Sequence, residues 1–244
     1  MPALLETRHL TKRFGGLTAT AGVDLAIEPG EMRGLIGPNG AGKTTLVNLI
    51  AGLYPPDGGD IRLDGRSLLG LKPFQIARRG LVRSFQVARL FGNMSVRENL
   101  LLSYLAQPGA SGADAAQQRA SHFLALTRLA PLADAPAKTL SGGQRALLQV
   151  AAGFMNPGLK CYVLDEPFAG INPTIKDSII ELIEHENRAQ RTTFIIVSHE
   201  MAIVRRLCRR VTVMVEGRVA AEGTLEEVAA RGDVLAAYLG RGWT

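Results

Sequence analysis

Ile36 to Thr45 reads IGPNGAGKTT: Gly37, four further residues, then Gly42, Lys43 and Thr44. This is the spacing of a P-loop, a glycine-rich turn that wraps phosphate groups. Gly37, Gly40 and Gly42 carry no Cβ, so the backbone can turn tightly and approach a ligand closely. Successive N–H groups of such a turn point inward as an anion nest. A helix starting at its end adds free N–H groups and the positive end of its dipole. Lys43 supplies a point charge for β- and γ-phosphates, and the Thr44 hydroxyl can hold Mg²⁺. The chemistry is therefore that of a nucleoside triphosphate.

A P-loop needs a strand before it and a helix after it. The apolar run Met32–Ile36 predicts the strand, and Thr45–Leu53 the helix. Residues Leu4–Ile36 alternate apolar and polar, with turn signals at Phe14-Gly15-Gly16 and Glu28-Pro29-Gly30, and read as a small antiparallel β region. A turn cluster at Tyr54–Asp60 precedes a short strand at Ile61–Leu63, and Phe74–Arg79 reads as helical. From Ser95 to Ala130 the pattern is helical, with a loop at Gln107–Gly112. Beyond Pro157 strands and helices alternate. Strands are expected at Tyr162–Leu164, Thr193–Val197 and Val211–Val215, and helices at Thr174–Asn187 and Met201–Leu207. Strands separated by helices imply parallel pairing. A helical insertion of about Val87–Pro157 thus interrupts an α/β core.

Composition sets the limits. The chain has 244 residues, 46% of them apolar, enough for one or two domains with a substantial core. No apolar stretch approaches the ~18 residues that span a bilayer, and the N-terminus does not read as a signal peptide. Cys161 and Cys208 form neither a disulfide framework nor a metal site, and the cytosol is the expected compartment. The net charge is +6. Its clusters, Arg78, Arg79 and Arg83, then Arg205, Arg206, Arg209 and Arg210, read as solvated faces first. Proximity to an anionic membrane comes second, and nucleic acid third, since no recognition motif accompanies them.

A second motif decides the class. LSGGQ, Leu140–Gln144, precedes the helical run Arg145–Met155. Ser141 is a good helix N-cap, and Gly142 and Gly143 leave backbone N–H groups open to an anion. Together with the P-loop, this pentapeptide resembles the signature of ATP-binding-cassette (ABC) ATPases. The other motifs of that family follow in order over nearly the whole chain. CYVLDEP, Cys161–Pro167, resembles its Walker B strand, which implies that Asp165 organises the Mg²⁺ shell and that Glu166 is the general base for water. Gln86 in RSFQ matches the Q-loop glutamine, a metal and water ligand. His199 in IIVSHE matches the switch histidine at the γ-phosphate.

The resemblance implies a P-loop NTPase core with an antiparallel β subdomain (residues 1–86 and 158–244) and a helical signature subdomain (87–157). It implies ATP and Mg²⁺ as cofactors. ATP contacts would come from Gly37, Pro38, Asn39, Gly40, Ala41, Gly42, Lys43, Thr44 and Thr45, and from Ser141, Gly142, Gly143 and Gln144. Metal ligation would fall to Thr44, Gln86 and Asp165. Catalytic work would fall to Glu166, His199, Gln86 and Lys43. Phe14 stands where the family places an aromatic, often Tyr, on adenine; its competing role is a core phenylalanine. Asn172 in AGINP stands where the family commonly has Asp. It keeps hydrogen bonding without charge.

One chain holds one P-loop and one signature, and in this family each signature completes the partner's ATP site. The implied partners are a second ATPase subunit (a like or homologous chain), two integral permeases and, through the complex, a periplasmic solute-binding protein. No nucleic acid is expected. The implied location is the cytoplasmic face of the inner membrane, peripheral. RSFQVARLFGNMSVRENLL, AGINP and the C-terminal AAYLG resemble ATPases of branched-chain amino acid importers. DEPFAG and a YLG-like end also resemble the ATPase of lipopolysaccharide export, whose surroundings of the Q-loop usually differ. A soluble ABC ATPase acting on DNA or ribosomes is a third alternative. The single cassette and the 54 positions between Gln86 and Leu140 argue against it.

Overall fold

The computed structural model describes residues 2–85, 89–107 and 112–232. The chain begins with strands β1 (Leu5–Phe14), β2 (Leu17–Ile27) and β3 (Met32–Ile36), then helix α1 (Lys43–Ile50). Strands β4 (Gly58–Leu63) and β5 (Arg66–Ser67), helix α2 (Pro73–Arg78) and strand β6 (Leu81–Arg83) follow. Helices α3 (Val96–Leu105), α4 (Gly112–Leu126) and α5 (Gly142–Phe154) come next. The remainder runs β7 (Cys161–Asp165), α6 (Pro173–Gln190), β8 (Thr193–Val197), α7 (Met201–Leu207), β9 (Arg210–Val215), β10 (Arg218–Gly223) and α8 (Leu225–Ala229).

Two sheets form. The smaller has the order β2-β1-β4-β5 and is antiparallel throughout. The larger has the order β10-β9-β3-β8-β7-β6, and β3, β6, β7, β8 and β9 run parallel. This corrects the antiparallel reading of Leu4–Ile36 at its end. Met32–Ile36 leaves the small sheet and stands in the middle of the large one, because its nearly continuous apolar run suits a strand buried on both faces. Strand β10 was not expected. It returns antiparallel to β9 through Glu216 (φ 47°) and Gly217 (φ 76°), the two positive φ angles of a tight hairpin turn. Its RVAAEG sequence has too little apolar character to announce a strand. Helix α8 was also missed, although Thr224 and Glu227 make a capping box that TLEE carries in its spacing.

Alternation along the large sheet divides the core in two. Cys161, Val163, Ile195 and Val197 face α1 and the small sheet. Tyr162, Leu164, Phe194 and Ile196 face α5, α6 and α7. On this second side Phe154 of α5 sits against Phe123, Tyr162 and Phe194, with ring centroids 5.1–6.0 Å away. Helix α5 is thereby fixed to the sheet by aromatic packing. The buried thiols of Cys161 and Cys208 are each pushed up to about 12 by loss of hydration, so neither is a nucleophile at neutral pH.

Phe154→Ala removes the centre of this aromatic cluster. It is expected to destabilise the chain by about 3–5 kcal/mol, measured by urea unfolding; a loss under about 1 kcal/mol would show that α5 is anchored elsewhere.

Candidate active site

Parallel strands end together, and the site is built on that edge. In the register of the large sheet, Leu35, Val197 and Asp165 stand side by side at the carboxyl ends of β3, β8 and β7. The loops that leave this edge carry Gly37–Thr44, Ser198-His199 and Asp165-Glu166, while β6 ends at Arg83, just before Ser84 and Phe85. Open α/β sheets bind ligands at such an edge, where neighbouring connections diverge from one strand. Here the diverging strand is β3.

Two P-loop glycines answer to protein packing. A Cβ on Gly37 would lie 2.1 Å from the Met214 carbonyl oxygen, and one on Gly42 2.3 Å from that of Ala19. Both have positive φ, 148° and 97°. Close approach to a ligand is therefore not what forces glycine there; Gly40 alone of the three has open space around it. Gly42 also begins α1 without a side-chain cap, which leaves its first N–H groups for an external acceptor. Lys43 is buried, and its Nζ donates to the carbonyl oxygens of Gly37 (2.7 Å) and Pro38 (2.9 Å). Burial lowers its pKa, against the opposing pull of the Glu166 and Asp165 carboxylates. Thr44 is exposed beside it, and Thr45 is half-buried.

Asp165 is buried, and its Oδ2 accepts from Arg83 at 2.7 Å. Its N–H donates to Ser84 Oγ. The same guanidinium donates to Asn48 Oδ1 on α1. Arg83 therefore ties β6, β7 and the P-loop helix together around the carboxylate. This corrects the reading of Arg83 as part of a solvated basic face: its side chain is largely buried on Asp165, and it opens the RSFQ stretch from which only Gln86 was taken. Gln86 itself lies outside the described residues, but both of its flanks are held by one side chain. Gln149 of α5 donates to Phe85 O (2.7 Å) and accepts from Arg89 N–H (2.9 Å). The Arg89 guanidinium stacks 4.4 Å above the Phe85 ring.

Glu166 is held with φ 50°, and its N–H donates to Val197 O at 3.0 Å. Its Oε1 lies 3.1 Å from His199 Nε2, an ion-pair distance. The two are not aligned as a hydrogen bond, and Oε1 is a buried acceptor with no donor. Burial pushes the Glu166 carboxyl above its ordinary range; His199 and Lys43 oppose this and Asp165 adds to it. A buried, electron-rich oxygen without a donor is suited to accept a proton from water. The oxygen donors of Thr44 and Asp165 are the hard type that Mg²⁺ takes, so these residues fit that ion.

Ser141 caps α5, accepting from Gln144 N–H (3.2 Å) while Gln144 Oε1 accepts from Ser141 N–H (2.9 Å). Ser141 and Gly142 are exposed, and Gly143 packs near Ile171 and Ile175. Among the described residues, no hydrogen bond or ion pair joins Ser141–Gln144 to the P-loop. The structure groups Lys43, Asp165, Glu166 and His199, and Gly142 lines one cavity with Glu166 and Pro167. Asn172 caps α6, accepting from Ile175 N–H at 3.0 Å, a task for which it needs no charge. Phe14 is 44% exposed and meets Tyr54 edge-on at 5.4 Å, with Lys12 5.6 Å above its ring. It is not a core phenylalanine.

Two variants test these assignments. Glu166→Gln should slow hydrolysis about 10²–10⁴-fold. A carboxyl raised in the fold contributes stability below its unfolded pKa and loses it as pH rises through the folded value. Glu166→Gln should therefore melt higher than the parent near about pH 7.5, with the gain shrinking toward about pH 4; equal melting curves across that range would refute the desolvated carboxylate. Phe14→Ala should keep a cooperative melt and weaken nucleotide binding by about 1–3 kcal/mol, read by titration calorimetry.

A family model described as ABC transporter matches residues 20–169. The chain is 39% identical to the high-affinity branched-chain amino acid transport ATP-binding protein BraF of Pseudomonas aeruginosa, over 97% of this chain and 98% of that one. It is 38% identical to LivG of Escherichia coli K12, over 97% and 98%. A nucleotide-free ATP-binding cassette from an ABC transporter superposes with TM-score 0.86 at 29% identity, covering 98% of this chain and 100% of that one. A dimeric post-hydrolysis cassette bound to ADP and Pi superposes with TM-score 0.80 at 25% identity, over 91% and 98%. The chain belongs to the ABC transporter family, as an ATP-binding cassette that hydrolyses ATP.

Proposed function

We propose that the chain powers an importer of branched-chain or related amino acids by ATP-driven closure of an ATPase pair. The similarity to branched-chain amino acid transport ATP-binding proteins, end to end at 38–39% identity, carries this reading. It favours import over lipopolysaccharide-type export and over action on DNA or ribosomes.

In this reading Lys43 exchanges the carbonyls of Gly37 and Pro38 for β- and γ-phosphate oxygens, and the uncapped start of α1 binds the same anion. Mg²⁺, held through Thr44, Asp165 and Gln86, neutralises charge on the phosphates when bound. Glu166 accepts the proton of the attacking water, and His199 orients that carboxylate and contacts the γ-phosphate. Phe14 stacks on adenine. The presence of one P-loop and one signature in the chain supports a site shared between two chains. There Ser141, Gly142 and Gly143 of one subunit face the triphosphate on the other, so ATP favours the closed pair. Hydrolysis removes that preference, and the helical unit, residues 87–157, passes the motion on. Exposed Phe91, Leu102 and Leu105 on that unit are suited to cover by two permease subunits. The assembly places the chain peripherally on the cytoplasmic face of the inner membrane, with a periplasmic binding protein beyond it.

The test is reconstitution with the native permeases and binding protein, with uptake measured over a panel of amino acids. Leucine-, isoleucine- or valine-stimulated ATP hydrolysis is expected; stimulation by a lipid substrate alone would overturn import. Ser141→Arg should leave ATP binding by the isolated chain unchanged and abolish stimulated turnover in the complex; full turnover would contradict the shared site.

A further inference from the structure

Helices α4 and α6 bring together three side chains that the ATP site does not use. His122 on α4 and His185 and Glu186 on α6 each present one ligand atom, and these atoms lie within 4.8 Å of one another. The two imidazole centroids are 6.1 Å apart. His185 Nε2 stands 4.0 Å from Glu186 Oε1. Glu186 is only 4% exposed. Buried carboxylates are ordinarily hydrogen-bonded, paired or bound to a metal. Arg119 acts on this carboxylate by its charge, but its hydrogen bonds go elsewhere. Its Nε and one terminal nitrogen donate to Phe154 O at 3.1 and 2.7 Å, and it lies over the Phe123 ring at 5.4 Å.

We propose that His122, His185 and Glu186 form a site for a borderline divalent transition metal, Zn²⁺ being the representative case. Two imidazole nitrogens and one carboxylate oxygen form a donor set suited to such an ion and unlike the all-oxygen shells of Mg²⁺ or Ca²⁺. Zn²⁺ holds nitrogen and oxygen ligands at about 2.0–2.2 Å, so the donors must draw together by side-chain rotation. The exposed position of His122 leaves a fourth position facing water. Arg119 opposes the ion by its charge and so sets the affinity below that of a closed structural site. The bound metal joins α4 of the helical unit to α6 of the sheet layer, so it acts as a brace between them.

The test uses the full chain and Zn²⁺ in competition with a chromophoric chelator, with Co²⁺ absorption as the coordination signature. One Zn²⁺ per chain is expected, with affinity falling at least about tenfold in His122→Ala and in His185→Ala. Zn²⁺ should raise the melting temperature of the parent and not of His122→Ala. Without metal, His122→Ala should match the parent in melting and basal ATP hydrolysis, which keeps the comparison free of folding effects. His199→Ala should bind Zn²⁺ as the parent does. Undiminished Zn²⁺ affinity in His122→Ala, or loss of binding in His199→Ala instead, would overturn the site.

Discussion

The parallel register of β3, β8 and β7 is the constraint on which the site depends. Leu35, Val197 and Asp165 share one row, so the P-loop, His199 and the carboxylate pair emerge at the same height. Slipping any strand by one residue would turn its side chains to the opposite face. Asp165 and Glu166 would then exchange places relative to Lys43. Two layers of core hold the register, because each strand is buried on both faces and each face has its own apolar set. Stability and chemistry are in this sense the same property of the sheet.

Charge placement is the second theme. Four ionisable groups, Lys43, Asp165, Glu166 and Arg83, crowd the carboxyl edge, all largely buried. Arg83 meets the buried Asp165 directly, whereas Glu166 has the looser contact to His199. The two adjacent carboxylates thus have different surroundings. One is neutralised and fixed, suited to a metal shell; the other is strained in backbone, desolvated and free at one oxygen, suited to proton transfer.

Much of this could be read before any fold was known. The P-loop, LSGGQ and DEP carry their chemistry in residue type and spacing, and the strongly apolar strands β7 and β8 announce themselves. The capping role of Ser141 is also written locally, since Gln144 follows at the right distance. What stayed hidden depends on contacts between distant parts of the chain. Arg83 meets Asp165 only through the β6–β7 pairing, and Gln149 reaches Phe85 and Arg89 only because aromatic packing seats α5 on the sheet. Phe14 could not be separated from a core residue by pattern, because an alternating strand gives its last member no obligatory face. Strand β10 was lost for a related reason: an edge strand needs few apolar residues.

Ser141 caps helix α5, which carries Gln149 about 12 Å further along its axis, at about 1.5 Å per residue. One rigid rod therefore starts at the signature and grips the residues on either side of Gln86 midway. Displacing those flanks must either break the two Gln149 hydrogen bonds or carry the rod along. Breaking costs about 0.5–1.5 kcal/mol for each bond. Whatever moves one end of such a lever is felt at the other, and by thermodynamic reciprocity the influence runs with equal strength in both directions. An occupied triphosphate site and an engaged membrane subunit would then report on each other through a single amide side chain.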